Sequence, residues 1–321
     1  MARAIELARG GFPAPNPRVG CVLVRDGVVI GEGFHDHAGG PHAEVIALSR
    51  CDSAKGATAY VTLEPCNHTG RTGPCSLALI EAGVSRVVFA VRDPFEKARG
   101  GAGALLAAGI AVDTGVLEEE ARAMNHQFLY SVEFKKPYVT LKAAITRDGF
   151  LARPDGTSQW ISSEEARLDA HRLRAERGSV LVGRGTVLAD NPRLTARIPG
   201  VVNQPLRIIV DPWHRLSGEE RVFDDSAETL WLDQFHGANL SPEGILKILD
   251  ERGVRGVLVE GGADTLRRFL TLGVGNELVL YVGDMEFGEG LVWDGGWGGL
   301  KDLELVDRTM FGTTERQTYL L

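Results

Sequence analysis

GGPHAEVIAL, residues 39–48, sets an imidazole and a carboxylate two positions apart at the point where a proline marks a helix start. Pro41 suits the first turn, because the N–H it lacks is one that a helix end leaves unpaired anyway, so His42 and Glu44 fall at the helix mouth. EPCNHTGRTGPC, residues 64–75, adds two cysteines. Cys75 follows Pro74 at the start of another helix, where free backbone N–H groups and the helix dipole favour a thiolate. His42, Cys66 and Cys75 together offer one imidazole and two thiolates. Three such ligands leave the fourth tetrahedral position for water, as a catalytic rather than a structural zinc site requires.

Working outward, short hydrophobic strands alternate with amphipathic helices. Helix 1–10 precedes a hairpin that turns at Asp26-Gly27, then helix 42–50, strand 57–65, helix 75–83, strand 86–94 and a further helix-strand pair. This is a three-layer α/β pattern. One short helix, LEEEARAMNHQFLYSVEF, leads to KKPYVTLKAAI, where Pro137 discourages helix and a fresh alternating strand begins. The boundary is expected near residue 135, giving domains 1–135 and 136–321. A prior of roughly 100 to 200 residues per domain agrees with two. The second part reads as strand 138–145, helix 162–176, strands 179–183, 206–212 and 228–232, helix 241–253, strand 256–262, helix 264–273 and strands 277–283 and 316–321.

Composition narrows the functions. Hydrophobic residues at 44% and charged residues at 24% are ordinary for a soluble globular chain. A net charge of −8 provides no wide basic field, which disfavours nucleic-acid duplexes and anionic membranes as partners. No apolar run approaches the roughly 18 residues that cross a bilayer, and residues 1–11 lack a secretory pattern. Four cysteines without an export signal fit a reducing compartment, so a cytoplasmic protein is expected. Cys21 and Cys51 lack partners at ligand spacing and read as structural, and His35 and His37 as hydrogen-bonded or solvated side chains.

H-x-E followed by two P-C pairs resembles the zinc nucleobase deaminases, in which a metal-bound water attacks an amidine-like ring carbon while the glutamate carries protons. PCNHTGRTGPC is similar to the P-C-x-H-x-G-R-T-x-P-C variant of the riboflavin-pathway pyrimidine deaminases. That resemblance implies a cytidine-deaminase-like fold, with Glu44 catalytic and with Asn16, His68 and Arg71 against the substrate. Arg71 read alone is equally an ordinary surface cation.

The second half resembles the reductase domain of the bifunctional riboflavin biosynthesis deaminase/reductase family, a dihydrofolate-reductase-like α/β fold. KPYVTLKAAITRDGF, SQWIS, LRAERGSVLVGRGTVLADNPRLTAR, RIIVD and VLVEGGADTLRRFL occur in that family's order. The resemblance implies NADPH contacts at Ala144, Trp160, Thr186, Asp190, Gly261, Gly262, Ala263, Asp264, Thr265 and Leu266. It places a phosphorylated pyrimidine substrate against Ser158, Arg174, Leu194, Arg197 and Glu260. Physical sense adds Lys142 as a proton donor, a bidentate grip of Arg174 and Arg197 on the substrate phosphate, and Arg184 as a candidate for the extra phosphate of NADPH. VGRGTVL does not make a Rossmann fingerprint, since Leu188 stands where the third glycine belongs and no helix start is evident. Gly73, Asn191 and Pro212 depart from the family pattern, as does the short glycine-rich segment 281–299. Taken singly, Trp160 reads equally as core, Lys142 as surface and Arg174 as a solvated helix face.

Two cofactors, zinc and NADPH, are therefore expected in a homo-oligomeric enzyme acting on a small-molecule substrate. Two other readings stand beside it. One is a nucleic-acid deaminase with a non-catalytic accessory domain, against which the acidic balance counts. The other is a metabolite-binding module merely stapled by zinc, which requires four protein ligands.

Overall fold

The computed structural model describes residues 1–68, 73–95, 98–158, 160–235, 237 and 239–321. The chain divides into two compact units, Met1–Phe134 with Gly200–Asn203, and Lys135–Pro199 with Gln204–Leu321. Among the described residues no helix is long and apolar enough to cross a membrane.

The first unit runs α1 (Ala2–Ala8), β1 (Gly20–Arg25), β2 (Val28–Phe34), α2 (Ala43–Ser49), β3 (Thr58–Leu63), α3 (Cys75–Glu81), β4 (Arg86–Val91), α4 (Gly101–Ala107), β5 (Ala111–Thr114), α5 (Glu118–Met124) and α6 (His126–Phe134). Its sheet has the order β2-β1-β3-β4-β5, antiparallel at the hairpin and parallel from β3 onward. Asp26 and Gly27 both take positive φ, as a tight hairpin turn demands. Strand β4 shows why helices cover both faces: Val87 and Phe89 pack into one apolar cluster with Leu79 and Leu105, and Ala90 into another with Ile5 and Ala121. The single helix expected over residues 117–134 is instead two. Asn125 interrupts it, because its amide both accepts from the N–H and donates to the carbonyl of Arg18, at 2.8 Å each.

The second unit runs β6 (Tyr138–Ile145), β7 (Phe150–Ala152), α7 (Glu164–Arg177), β8 (Ser179–Gly183), α8 (Arg184–Asp190), β9 (Leu206–Val210), β10 (Thr229–Leu232), α9 (Pro242–Glu251), β11 (Gly256–Val259), α10 (Ala263–Leu272), β12 (Glu277–Val282), β13 (Leu291–Val292), β14 (Glu304–Phe311) and β15 (Thr314–Leu320). Eight strands make one sheet in the order β10-β9-β8-β11-β6-β12-β15-β14. The six from β10 to β12 are parallel, so their carboxyl ends share one edge. Both faces are apolar. Leu141 and Val259 pack against Leu249, Leu266 and Phe269, whereas Leu258, Val279 and Tyr281 meet Ala166, Ala170 and Leu173 of α7. At the far end of α7, buried Arg177 binds Glu277 and donates to Thr140 Oγ1 at 2.7 Å, which ties the helix to the start of the central strands.

Two sequence expectations are corrected. Residues 184–190 do form a helix directly after β8; it was hidden because Gly183, its N-cap, provides no capping side chain. Strand β14 was also missed. Five of its first six residues, Glu304 to Arg308 among them, are exposed, so it lacks the alternation that marks a half-buried strand.

Candidate functional site

Helix α2 is pressed onto the hairpin by small residues. A Cβ on Gly31 or Gly33 of β2 would lie 2.4 and 2.5 Å from the Ala47 and Ala43 carbonyl oxygens, so only glycine lets the helix seat there. The helix then opens at Ala43, with His42 as N-cap and Pro41 one residue outside the helix rather than in its first turn. His42 and Glu44 still stand at the helix mouth. Cys75 is the first residue of α3, and Cys66 lies three residues past β3.

The ligand atoms of His42, Cys66 and Cys75 all lie within 4.8 Å of one another. His42 Nδ1 is 3.2 Å from Cys75 Sγ and 3.6 Å from Cys66 Sγ, and the Cys75 N–H donates to Cys66 Sγ at 3.4 Å. Protons alone leave the two sulfurs unequal. The hydrogen bond from the Cys75 thiol holds Cys66 down to about 4, and that same bond, with burial, pushes Cys75 up. A divalent cation in place of the shared proton lets both sulfurs ionise, so the donor set fits zinc and keeps one tetrahedral position open. Among the described residues no fourth His, Cys, Asp or Glu joins the group, which counts against a structural staple.

Glu44 is 3% exposed, and burial raises its carboxyl above the ordinary range. A buried carboxyl whose charged form is disfavoured, beside an open metal position, suits a group that must both take up and deliver a proton. Asn16 lies nearby: its Nδ2 donates to His35 Nε2 at 3.1 Å. His35 Nδ1 therefore carries the proton and donates to the Pro41 carbonyl at 3.0 Å, while its ring stands edge-on to His42 at 5.3 Å. Burial lowers the His35 pKa, which keeps it neutral in this role. Sequence reasoning saw His35 only as a hydrogen-bonded side chain; no spacing rule marks it, because its partners come from two other loops. His68 is exposed on the loop after Cys66, and Arg71 lies outside the described residues.

In the second unit, the carboxyl edge of the sheet opens into a cavity of about 1170 Å³. Lys142 and Ala144 of β6, Glu260 to Thr265 at the β11–α10 turn, and Thr186 and Asp190 of α8 all line it. Ser158, exposed Trp160, Arg174, Leu194 and Arg197 complete the wall. Gly261 is required at the turn, since a Cβ there would come within 2.4 Å of Thr265 Cβ. The Gly262 N–H donates to Thr186 Oγ1 at 3.1 Å, joining two segments expected to meet the cofactor. Leu266 is a correction. It sits on the inward face of α10, fully buried in the apolar core, and its N–H bonds to the Gly262 carbonyl. Asn191 takes φ 39° after α8 and its side-chain oxygen accepts the Arg221 N–H at 2.8 Å, which ties the end of that helix to the segment at Arg221.

Glu260 is the electrostatic centre. Burial acts to raise its carboxyl, but Arg174 and then Lys142 outweigh it and bring it to about 2. Arg174 Nε and Nη2 reach its two oxygens at 2.5 and 3.0 Å, and Lys142 Nζ lies 3.5 Å away. The fork of Arg174 is thus occupied by Glu260, not free for the bidentate phosphate grip that its sequence position invited. Its Nη1 binds the Thr195 carbonyl at 3.1 Å. His171, one turn before Arg174 on α7, also lines the cavity; burial, then Arg174 and Arg197, lower it to about 4. The (i, i+3) spacing to Arg174 was the available signal for it. Leu194 holds φ 55° while 3% exposed, a strained backbone kept in place at the cavity wall.

The comparisons with known proteins agree with this division. Residues 1–91 match the cytidine and deoxycytidylate deaminase zinc-binding region, and residues 137–313 match the RibD C-terminal domain. Riboflavin biosynthesis protein RibD of Aquifex aeolicus is 43% identical over 91% of this chain and 88% of its own. That of Escherichia coli is 40% identical over 88% and 86%. The crystal structure of a diaminohydroxyphosphoribosylaminopyrimidine deaminase/5-amino-6-(5-phosphoribosylamino)uracil reductase from Thermotoga maritima superimposes with a TM-score of 0.90 at 37% identity, covering 100% of this chain and 97% of that one. Acinetobacter baumannii RibD gives 0.88 at 35%, covering 99% and 97%. With both halves matched in order along nearly its full length, the chain belongs to the RibD family of riboflavin biosynthesis proteins.

Proposed function

We propose that this chain carries out two consecutive steps of riboflavin synthesis in the cytoplasm. The first unit removes the amino group at carbon two of 2,5-diamino-6-ribosylamino-4(3H)-pyrimidinone 5′-phosphate by hydrolysis. The second reduces the ribosyl side chain of the product to ribityl. Zinc and NADPH are the cofactors. The observation that carries the reading is the three-ligand His42, Cys66, Cys75 cluster with buried Glu44 beside it, followed in the same chain by the Lys142–Glu260 cavity.

In the first step, His42, Cys66 and Cys75 would hold zinc, which would supply the Lewis acidity that lowers the pKa of a water at the open position toward neutrality. Glu44 takes one proton of the attacking water and passes it to the ring nitrogen, then takes the second from the hydroxyl of the resulting tetrahedral adduct and passes it to the amine, which leaves as ammonia. Asn16, held by His35, orients the ring, with His68 and Arg71 as further contacts to the substrate's phosphate or ring.

In the second step NADPH supplies the hydride. Gly261 to Thr265 receive its phosphates, while Ala144, Trp160, Thr186 and Asp190 shape the rest of its site. Lys142, fixed by Glu260, delivers the proton to the opening sugar. Arg197 meets the substrate phosphate with Ser158 and Leu194 beside it. Arg174 acts through Glu260, holding that carboxylate ionised and in place.

The test is a coupled assay. Ammonia release should precede NADPH loss, and Glu44→Gln should cut ammonia release by about 10²- to 10⁴-fold while leaving reduction of pre-deaminated substrate unchanged. Undiminished ammonia release in that variant would sink the mechanism.

A further inference from the structure

Helix α7 brings to the cavity a side chain that neither reaction above has used. His171 Nδ1 lies 3.0 Å from the Thr195 carbonyl, an oxygen that can only accept, so Nδ1 carries the proton of the neutral ring. Arg174 Nη1 donates to the same carbonyl at 3.1 Å, so two bonds from one helix fix the loop after α8, and Thr195 is buried there. The second ring nitrogen, Nε2, keeps its lone pair. His171 lines the cavity, and among the described residues nothing binds Nε2.

The charges around this base are mostly positive. Burial first, then Arg174 on the same helix and Arg197 on the loop, disfavour a proton on the ring, while Glu260 at the end of β11 favours one. Arg167, one turn earlier on α7, is engaged elsewhere, by the Ser162 carbonyl and the Trp160 ring. The Arg197 guanidinium is itself disfavoured, by burial and then by Arg174, Arg193 and Arg221. Glu260 neutralises Arg174, and Asp224 stands 3.8 Å from Arg193. Among the described residues no carboxylate pairs with Arg197 or Arg221. The wall therefore lacks negative charge at the place where it also holds a base without a proton.

A phosphate monoester answers both needs. Its second pKa is about 6, so near neutral pH it arrives mostly as a dianion, whose two charges outweigh the local cations and draw a proton to the ring. We propose that His171 selects the phosphorylated substrate of the reductase: Nε2 takes one proton from solvent as the phosphate seats against Arg197, and the resulting N–H bonds a phosphate oxygen. No other bond of the substrate changes in this step. A sugar without the phosphate leaves the ring neutral and gains nothing from it. The inference rests on the reductase reading given above.

His171→Asn separates the two ring nitrogens. Its amide places an N–H where Nδ1–H stands, so the bond to Thr195 is kept while the base at Nε2 is removed. With the full-length protein, saturating NADPH and pre-deaminated substrate, KM at pH 6 should rise by about tenfold or more in this variant, as loss of a charge-assisted hydrogen bond implies, with kcat within about threefold of the wild type. The wild-type KM should climb from pH 6 to pH 8, because protons become scarce as the complex still needs one; in His171→Asn that climb should vanish. Calorimetry of ribose 5-phosphate binding in buffers of different ionisation enthalpy reads the proton itself. The wild type should take up about half a proton or more at pH 7 and close to none at pH 5, where the phosphate brings its own, and His171→Asn should take up none at pH 7. A variant that keeps the wild-type proton uptake and KM overturns the assignment. So does one whose kcat falls with its KM unchanged while the thermal transition of the second unit drops, since His171 then only holds the Thr195 loop. A wild-type protein that neither binds ribose 5-phosphate nor reduces the pre-deaminated substrate overturns the reductase reading itself.

Discussion

In the first unit three ligand atoms from two short segments converge within 4.8 Å, whereas the second unit gathers Lys142, His171, Arg174, Arg197 and Glu260 from four separate stretches along one sheet edge. The first arrangement is completed by a metal ion, and its side chains leave the position of that ion defined. The second is completed by its own charges: Glu260 is held by Arg174 and Lys142 before any ligand arrives. The two sites should therefore fail differently, one through loss of an ion and the other through loss of an internal ion pair.

The sharpest way to break that contrast is Cys75→Ser. Replacing a soft thiolate by a hydroxyl should lower zinc affinity by more than about 100-fold, beyond what disturbing a mere supporting hydrogen bond does. Ammonia release should disappear with the metal, while NADPH still binds and the second unit keeps its thermal transition. Metal analysis of the purified variant beside calorimetry of NADPH binding checks this. A simultaneous loss of NADPH binding would show that the units do not fail separately.

The second site should instead be sensitive to acid. Glu260 has its folded pKa at about 2, below the ordinary 4.5, so the stability it contributes is fully present above about pH 4.5 and is lost as pH falls toward 2. Because the side chain is only 8% exposed, solvent screens the pair little and the shift corresponds to about 3 kcal/mol. Urea unfolding of the second unit should lose that much more stability between pH 5.5 and 2 in the wild type than in Glu260→Gln. Parallel pH profiles for the two proteins would refute the ion pair's part in it.

What the sequence revealed follows from the same contrast. His42, Glu44, Cys66 and Cys75 were legible because each sits at a helix start or strand end whose proline is visible, and because the chemistry of the donor set is narrow. In the second unit Glu260 and the glycines after it were legible for a different local reason, a strand that runs into two glycines ahead of a helix. The roles of its arginines were not. A sequence position cannot tell whether a guanidinium faces a ligand or a carboxylate 86 residues away, as Arg174 does. Helix α8 and the break at Asn125 escaped because one lacks a capping side chain and the other depends on a bond to Arg18, 107 residues distant.

A smaller effect sharpens the view that the second site is set by internal bonds. Behind Lys142, whose Nζ lies 5.5 Å from the centre of the Tyr281 ring, the Tyr281 hydroxyl donates to Asp169 Oδ2 at 2.6 Å, and Arg316 donates to the same oxygen at 2.9 Å. Tyr281→Phe removes one of two donors from a buried carboxylate and should cost about 1 to 3 kcal/mol. The midpoint of the second unit's unfolding should drop while deamination stays intact.

The least of these effects probes whether the first site, too, depends on something besides its metal. His35→Gln keeps a donor and an acceptor on a shorter, more flexible side chain, so the bond to Asn16 or the bond to the Pro41 carbonyl is lost, but not the zinc ligands. One neutral hydrogen bond contributes about 1 kcal/mol, which is about fivefold in rate or affinity. If Asn16 orients the pyrimidine, that loss should appear as a raised KM for deamination, with zinc content at the wild-type level and kcat little changed. If the loss appeared in zinc content instead, His35 would be supporting His42 through their ring contact, and the first site would be held as the second is, by its neighbours as much as by its ion.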